Sequence, residues 1–294
     1  MSETIVFFGS GPVAAAALEL LSQNFNIEAV ITKPQPESHK YLFPVIATTQ
    51  KLNLKTYYAS NKKELSDLIT KSKFKSRAGV VIDFGIIIAR DVIDYFPLGI
   101  INSHFSLLPK FRGADPISFA LLNGNQKTGV SLMLINEALD EGELLDQCTL
   151  IIAKDMISPE LTDKLINLSN DMLNSILPLY FLGKVKPYPQ SGQPTYSRKL
   201  AKTDGTIDFN KPAIQLEREV RTFIEWPKSS INLKNIKVIV TKSHIKKGSG
   251  KPGAIFQDNK ELGFYTLENI LMIDRLIPEG KKEMSIEAFL AGYK

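Results

Sequence analysis

The chain has 294 residues, of which 44% are hydrophobic and 23% charged, with a formal net charge of +5 and one cysteine. That length supports one large domain or two moderate ones, and the composition is that of a globular chain, neither disordered nor fibrous. Cys148 alone excludes a disulfide framework and a cysteine-rich metal site, and no run approaches the roughly 20 apolar residues of a membrane span.

The opening residues lack the basic n-region of a signal peptide, and Thr4–Phe8 reads as a first strand. Gly9-Ser10-Gly11-Pro12-Val13-Ala14 follows and meets the letter of a dinucleotide-binding turn. Lys33 stands after the second strand, Glu28–Thr32, where such a fold needs an acidic residue for the ribose, so the glycines read as a tight turn. A polar loop with Lys33, Pro34, Pro36, His39 and Lys40 comes next, then a helical pattern over Lys62–Lys71 and strands at Gly79–Phe84 and Gly99–Asn102. Near-continuous apolar strands alternating with helices predict an α/β fold: a Rossmann-like, mostly parallel sheet with helices on both faces. Ligands of such sheets bind at the carboxyl ends of the strands, which directs attention to the residues after Gly99–Asn102.

Strands at Gly129–Asn136 and Leu144–Ala153 bracket the acidic loop Glu137–Glu143, and the amphipathic segment Thr162–Leu182 closes a first domain over 1–183. Residues 184–204, rich in Pro and Lys, read as an interdomain linker. From Gly205 onward a helix over Pro212–Phe223 precedes and follows short apolar runs, at Ile207–Phe209, Ser230–Leu233, Lys237–Thr241, Gly253–Gln257, Gly263–Thr266 and Ile270–Arg275. Their spacing predicts a small OB-like β-barrel over 205–294. Charge divides the same way. Residues 1–180 carry 16 Lys+Arg against 19 Asp+Glu, and residues 181–294 carry 20 against 12. A basic module suits either a polyanionic partner or a solvated surface.

Three histidines can be weighed one by one. His244 lies among lysines and His39 in a polar loop. His104 stands at the carboxyl end of a buried-type strand, and strand periodicity sends Asn102 and His104 to the same side. An amide and an imidazole facing one space can stabilise an oxyanion and move protons near neutral pH. A carboxylate beside them would favour the charged imidazole. Asp115, Asp140, Glu141 and Glu143 compete equally for that place on local grounds. No P-loop, no His-Glu-x-x-His helix and no Gly-x-Ser-x-Gly elbow is present.

Asn102-Ser103-His104-Phe105-Ser106-Leu107-Leu108-Pro109 with Arg112-Gly113 resembles the signature of the 10-formyltetrahydrofolate-dependent transferases. In that family the matching Asn, His and a later Asp in a Leu-Asp-x-Gly loop are catalytic, so the resemblance selects Asp140, 36 residues beyond His104. It also implies 10-formyltetrahydrofolate as the formyl donor, lying along Ser106, Leu107, Leu108 and Pro109 with its pterin near Ile86, Ile87 and Ile88, and no metal. Tyr196–Phe209, Phe223-Ile224-Glu225-Trp226-Pro227 and Pro278–Ser285 are similar to members that formylate methionyl-initiator tRNA. A cytoplasmic monomer with a tRNA-binding barrel is the implied arrangement, and Lys33, Lys40, Lys202, Lys242, Lys246 and Lys247 are the candidate phosphate contacts. Residues 33–40 hold two lysines and no arginine, where the family's acceptor-stem loop is longer and Arg-rich. Two other readings are a sugar-nucleotide N-formyltransferase using the same three residues, and a nucleic-acid-binding protein with a degenerate catalytic domain.

Overall fold

The computed structural model describes residues 3–36, 41–233, 236–258 and 260–293. By the density of its contacts the chain divides into two units, one of Met1–Pro116, Lys127–Ile151 and Thr162–Ser197, the other of Ile117–Gln126, Ile152–Leu161 and Arg198–Lys294.

The elements up to Ser197 run β1 (Thr4–Phe8), α1 (Pro12–Leu21), β2 (Asn26–Thr32), α2 (Pro44–Lys51), β3 (Thr56–Tyr58), α3 (Lys62–Lys71), β4 (Ala78–Val81), α4 (Arg90–Asp94) and β5 (Ile100–His104). They continue with β6 (Arg112–Gly113), α5 (Pro116–Leu122), β7 (Lys127–Leu134), β8 (Leu144–Ile151), α6 (Ser158–Phe181) and β9 (Tyr196–Ser197). Seven strands form one sheet in the order β3-β2-β1-β4-β5-β7-β8. It is parallel from β3 to β5 and antiparallel at β7 and β8.

Apolar content on both sides of β1 explains this burial: Ile5, Val6, Phe7 and Phe8 are fully buried because helices cover both faces. Val6 and Phe8 pack with Leu65 and Ile69 of α3 and Val92 of α4, while α6 meets the opposite side of β5 through a buried Ser103–Ser169 hydroxyl pair at 2.6 Å. Asn61 caps α3, accepting from the Glu64 amide at 3.0 Å while the Glu64 carboxylate accepts from Ser60 N and Asn61 Nδ2.

Most strand limits differ from the sequence reading by a few residues, and two of the differences bear on the site. β4 stops at Val81 because Asp83 (φ 46°) and Gly85 (φ 64°) turn the chain. Phe84 is apolar because it packs into the core from a loop. β5 runs on to His104 because β7 pairs with it, His104 opposite Ser131. Residues 184–197 lie extended along the first unit. Tyr188 pairs with Leu144, and β9 pairs in parallel with β6. Pairing of that kind, unlike a hydrophobic period, leaves no trace in the local pattern.

In the second unit a short 3₁₀ turn (Lys202–Gly205) leads to α7 (Ala213–Thr222), β10 (Ser229–Leu233), β11 (Ile236–Lys246), β12 (Ile255–Gln257), β13 (Leu262–Tyr265), β14 (Ile270–Pro278), β15 (Met284–Ser285) and α8 (Ile286–Gly292). The six strands form one antiparallel, half-barrel sheet in the order β10-β11-β14-β13-β12, with β15 on β14. Leu216, Val220, Val238, Leu271 and Phe289 fill its core. Ile207–Phe209, expected as a strand, makes only a bridge at Thr206 to Ser230. Phe209 is apolar because its ring stacks on Phe264 at 4.6 Å. Among the described residues no helix is long and apolar enough to cross a membrane.

The entry to this unit is clamped by a bidentate pair: both terminal nitrogens of Arg198 donate to Asp204 at 2.7 Å, and Ala201 N donates to the same carboxylate at 2.7 Å. The Arg198 guanidinium, with help from that amide, holds the Asp204 carboxyl down to about 2 from 3.8. A depressed carboxyl stabilises the fold above its unfolded pKa and loses that contribution as pH falls through the folded one. Asp204→Asn is therefore expected to cost about 1 kcal/mol above pH 4, after discounting for the exposure of Arg198, and only a small part of that near pH 2. Denaturant titrations at the two pH values check this.

Candidate active site

β5 is the last parallel strand and the neighbour of the antiparallel pair, so its carboxyl end opens at the edge of the parallel region. Asn102 and His104 point to one side of it and Ser103 to the other, toward α6. The loop between β7 and β8 brings Asp140 over them. Asn102 Nδ2 donates to Asp140 Oδ1 at 3.4 Å, and His104 Nδ1 stands 3.7 Å from Asp140 Oδ2. The His104 and Asp140 side chains are only 7% and 13% exposed, so this charge sits in poorly screened surroundings.

His104 Nε2 lies 2.9 Å from the Phe111 carbonyl. A carbonyl only accepts, so Nε2 carries a proton, and Nδ1 is the ring atom that faces the carboxylate. Nδ1 is too far from Asp140 for a direct hydrogen bond and is thus placed to serve a third group. Asn102 uses one amide hydrogen on Asp140 and has a second to offer.

Asp140 is itself held firmly. Its Oδ2 accepts from Gly113 N at 2.7 Å, and its backbone is left-handed, φ 52°, a region that Asp enters more readily than bulky residues. Two glycines permit this. A Cβ on Gly142 would lie 1.6 Å from the Leu134 carbonyl, and one on Gly113 would lie 2.6 Å from the Ser197 carbonyl. The Leu-Asp-x-Gly and Arg-Gly motifs are therefore close-approach positions on either side of one carboxylate. The Gln190 side chain donates through Nε2 to the carbonyls of Asp140 (2.8 Å) and Gly142 (2.9 Å). Its Oε1 accepts from Arg112 Nη2 at 2.8 Å and Nε at 3.3 Å, and Arg112 Nη1 donates to Glu141 at 2.7 Å.

The local competitors fall elsewhere. Glu141 pairs with Arg112, Glu143 is exposed, and Asp115 sits at φ 54° in the turn after β6. His244 pairs with Asp274 at 2.7 Å in the second unit. His39 and Lys40 lie outside the described residues. Gly9-Ser10-Gly11 donates its Ser10 and Gly11 amides to the Asp83 carbonyl. The Asp83 carboxylate fills the space beside Gly11, where a Cβ would lie 1.7 Å from Oδ2. An anion there would repel a pyrophosphate, which agrees with reading this segment as a turn.

Ser106 is fully buried, its hydroxyl spent on Lys110 O at 2.5 Å. Leu108 is also buried, and its amide donates to Ser131 Oγ at 3.0 Å. Ser131 Oγ donates in turn to Ser106 O at 2.6 Å, and Gln147 donates to Leu108 O at 2.8 Å. The 106–109 loop is thus a rigid wall built by its own bonds. Ile86 and Ile88 pack into the core, while Ile87 is 74% exposed. Lys33 is half-buried with Nζ near Gly85. Lys202, Lys242 and Lys247 are exposed, but Lys246 is paired with Glu261 and lies over the Phe256 ring.

Gln190, Ser131 and Gln147 carry no motif, and sequence reasoning passes over them. A turn signal at Pro189 is the only local hint for Gln190. Among the described residues no group of three or more His, Cys, Asp or Glu side chains is placed to hold a metal. Gly113→Ala is expected to cost about 1–3 kcal/mol through its φ of 97° and the Ser197 clash. Chemical denaturation measures it, and a cost below experimental error would contradict the close approach.

Two family models match this chain, "Formyl transferase" over residues 3–177 and "Formyl transferase, C-terminal domain" over 199–294. A methionyl-tRNA formyltransferase of Thermodesulfovibrio yellowstonii is 32% identical, covering 100% of this chain and 97% of its own. One of Myxococcus xanthus is 32% identical over 99% and 95%. Among solved structures, an N-formyltransferase of Helicobacter canadensis, in complex with folinic acid and dTDP-3-aminofucose, superposes with a TM-score of 0.69 at 16% identity. It covers 93% of this chain and 99% of its own, a likeness of fold.

Proposed function

We propose a function from the premise that this chain belongs to the formyltransferase family: it transfers the formyl group of 10-formyltetrahydrofolate to the α-amino group of methionyl-initiator tRNA. The observation that carries the chemistry is the convergence of Asn102, His104 and Asp140 at the end of β5. Full-length similarity to methionyl-tRNA formyltransferases supports the acceptor.

In this reading Asn102, through its second amide hydrogen, and His104, through a protonated Nδ1, donate to the formyl oxygen as the acceptor amine attacks and negative charge gathers there. The Phe111 carbonyl fixes the ring by holding Nε2–H. Asp140 supplies the negative charge beside the imidazolium and, through water, a route by which the proton leaving the amine reaches N10 as the formyl C–N10 bond breaks and tetrahydrofolate departs. The formyl donor finds surroundings suited to a flat heterocycle: a wall at Leu107–Pro109, a backbone edge at Ile86–Ile88 and an exposed Ile87 side chain. Ser106 shapes that wall from within; its hydroxyl does not reach out.

Residues 1–183 form the catalytic domain in this reading and 205–294 the tRNA-binding one, with 184–204 between them. The enzyme works as a monomer in the cytoplasm. Lys33, Lys202, Lys242 and Lys247 are the better phosphate contacts, since Lys246 already has a carboxylate partner. The second reading is formylation of an amino sugar on a nucleotide, and the Helicobacter structure favours it at the level of fold. Full-length identity to the tRNA enzymes weighs against it.

Asn102→Ala and His104→Ala are each expected to lower turnover about 10²–10³-fold in a chain that stays folded, with a lower unfolding midpoint for His104→Ala because the buried Phe111 carbonyl loses its ring donor. The assay is formyl-methionine release from charged initiator tRNA. Wild-type turnover in His104→Ala would sink the assignment, and formylation of a nucleotide amino sugar in place of the tRNA would select the second reading. Raising salt from about 50 to 200 mM should weaken tRNA binding by an order of magnitude or more, with a log–log slope that counts the phosphates engaged.

A further inference from the structure

We infer that Gln190 is a positioning residue for this reaction, acting through the Asp140 loop. The inference rests on the catalytic reading of Asp140 given above and assigns a task to a side chain 50 residues further along the chain.

A left-handed Asp holds its conformation only where the surroundings over-determine it. At Asp140 the carboxylate is fixed by the Gly113 amide, and the backbone carbonyl by Gln190 Nε2. The same Nε2 reaches the Gly142 carbonyl, so residues 140–142 are gripped at both ends by one NH₂ group. The Arg112 guanidinium can only donate, so Oε1 of Gln190 must face it and Nε2 must face the two carbonyls. Arg112 thereby sets the orientation of the amide, and its remaining nitrogen holds Glu141. Gln190 itself is anchored to the same unit on both sides, by the Tyr188–Leu144 pair and by Thr195, which accepts from Phe111 N and donates its own amide to Pro109 O. The consequence is a fixed Cα–Cβ direction at Asp140, which aims the carboxylate at Asn102 and His104. A carboxylate free to swing would keep the charge in the site and lose its aim, and misplacement by about 1 Å can cost on the order of 10²-fold in rate.

The test is a double-mutant cycle in single-turnover formylation, with Gln190→Ala, Asp140→Ala and the pair. Gln190→Ala alone should lower the rate about 10–100-fold with little change in the donor concentration for half-saturation. In the Asp140→Ala background the same change should cost less than about twofold, because neighbours that act as one unit are not additive. Gln190→Glu keeps an oxygen toward Arg112 and loses the N–H donors, so it should behave as the alanine variant. Amide exchange gives a readout independent of rate: in Gln190→Ala the Gly113 N–H should exchange faster while the Ser103 and His104 amides stay protected. Equal losses in both backgrounds, wild-type rate in Gln190→Glu, or unchanged Gly113 protection would each overturn the inference. Wild-type turnover in Asp140→Ala would instead remove the catalytic reading beneath it, and the single variant shows this by itself.

Discussion

The Gly113 amide and the Asp140 carboxylate, 2.7 Å apart, make the bond on which the site turns. Asp140 belongs to a connection between two strands and has no ladder to hold it. Asn102 and His104 inherit their direction from the pleat of β5, but Asp140 acquires its own from that amide, from a left-handed backbone and from the close approach of Gly142 to Leu134. Removing any of these leaves two donors at a strand end and a carboxylate with no fixed relation to them.

The sheet explains why the donors stand where they do. Its parallel strands are buried on both faces and end together, so side chains at their carboxyl ends look out over the edge. The reversal at β7 adds a second effect. Antiparallel pairing carries β5 two residues beyond Asn102, which keeps Asn102 and His104 on one pleat face and turns Ser103 into an anchor for α6. By its register β7 runs back to the amino end of β5, Leu134 opposite Ile101, and from there the β7–β8 connection folds back to bring Asp140 to Asn102 and His104.

Rigidity in the neighbouring loop comes from small polar groups that are used up internally. Ser106, Ser131 and Gln147 satisfy one another and the backbone around Leu108, as buried polar atoms must. This gives the wall its shape and leaves apolar atoms and backbone to meet a ligand. The second unit is built on another plan, an antiparallel half-barrel with its own core and a basic composition.

Much of the fold was legible in the sequence because burial on both faces writes continuous apolar runs, and because helix periodicity survives without tertiary help. Asn102 and His104 were legible as a pair for the same local reason, the two-residue period of a strand. Asp140 was not distinguishable from Asp115, Glu141 and Glu143 on physical grounds; resemblance to a family motif singled it out, and the structure shows it as the carboxylate that meets both partners. Phe84 and Phe209 misled, since a loop residue packed into a core has the same hydrophobicity as a strand residue. Gln190 left only the turn signal at Pro189, and the Phe111 carbonyl on His104 Nε2 and the Thr195 hydroxyl left none. Hydrogen bonds such as these, spanning 7 to 84 positions, depend on where the chain returns, and a sequence records residue types in order without recording which of them return to the same place. The sequence alone thus determined the alternation of strands and helices and the two donors on one strand, while the tertiary structure decided which acid faces them and what holds it there.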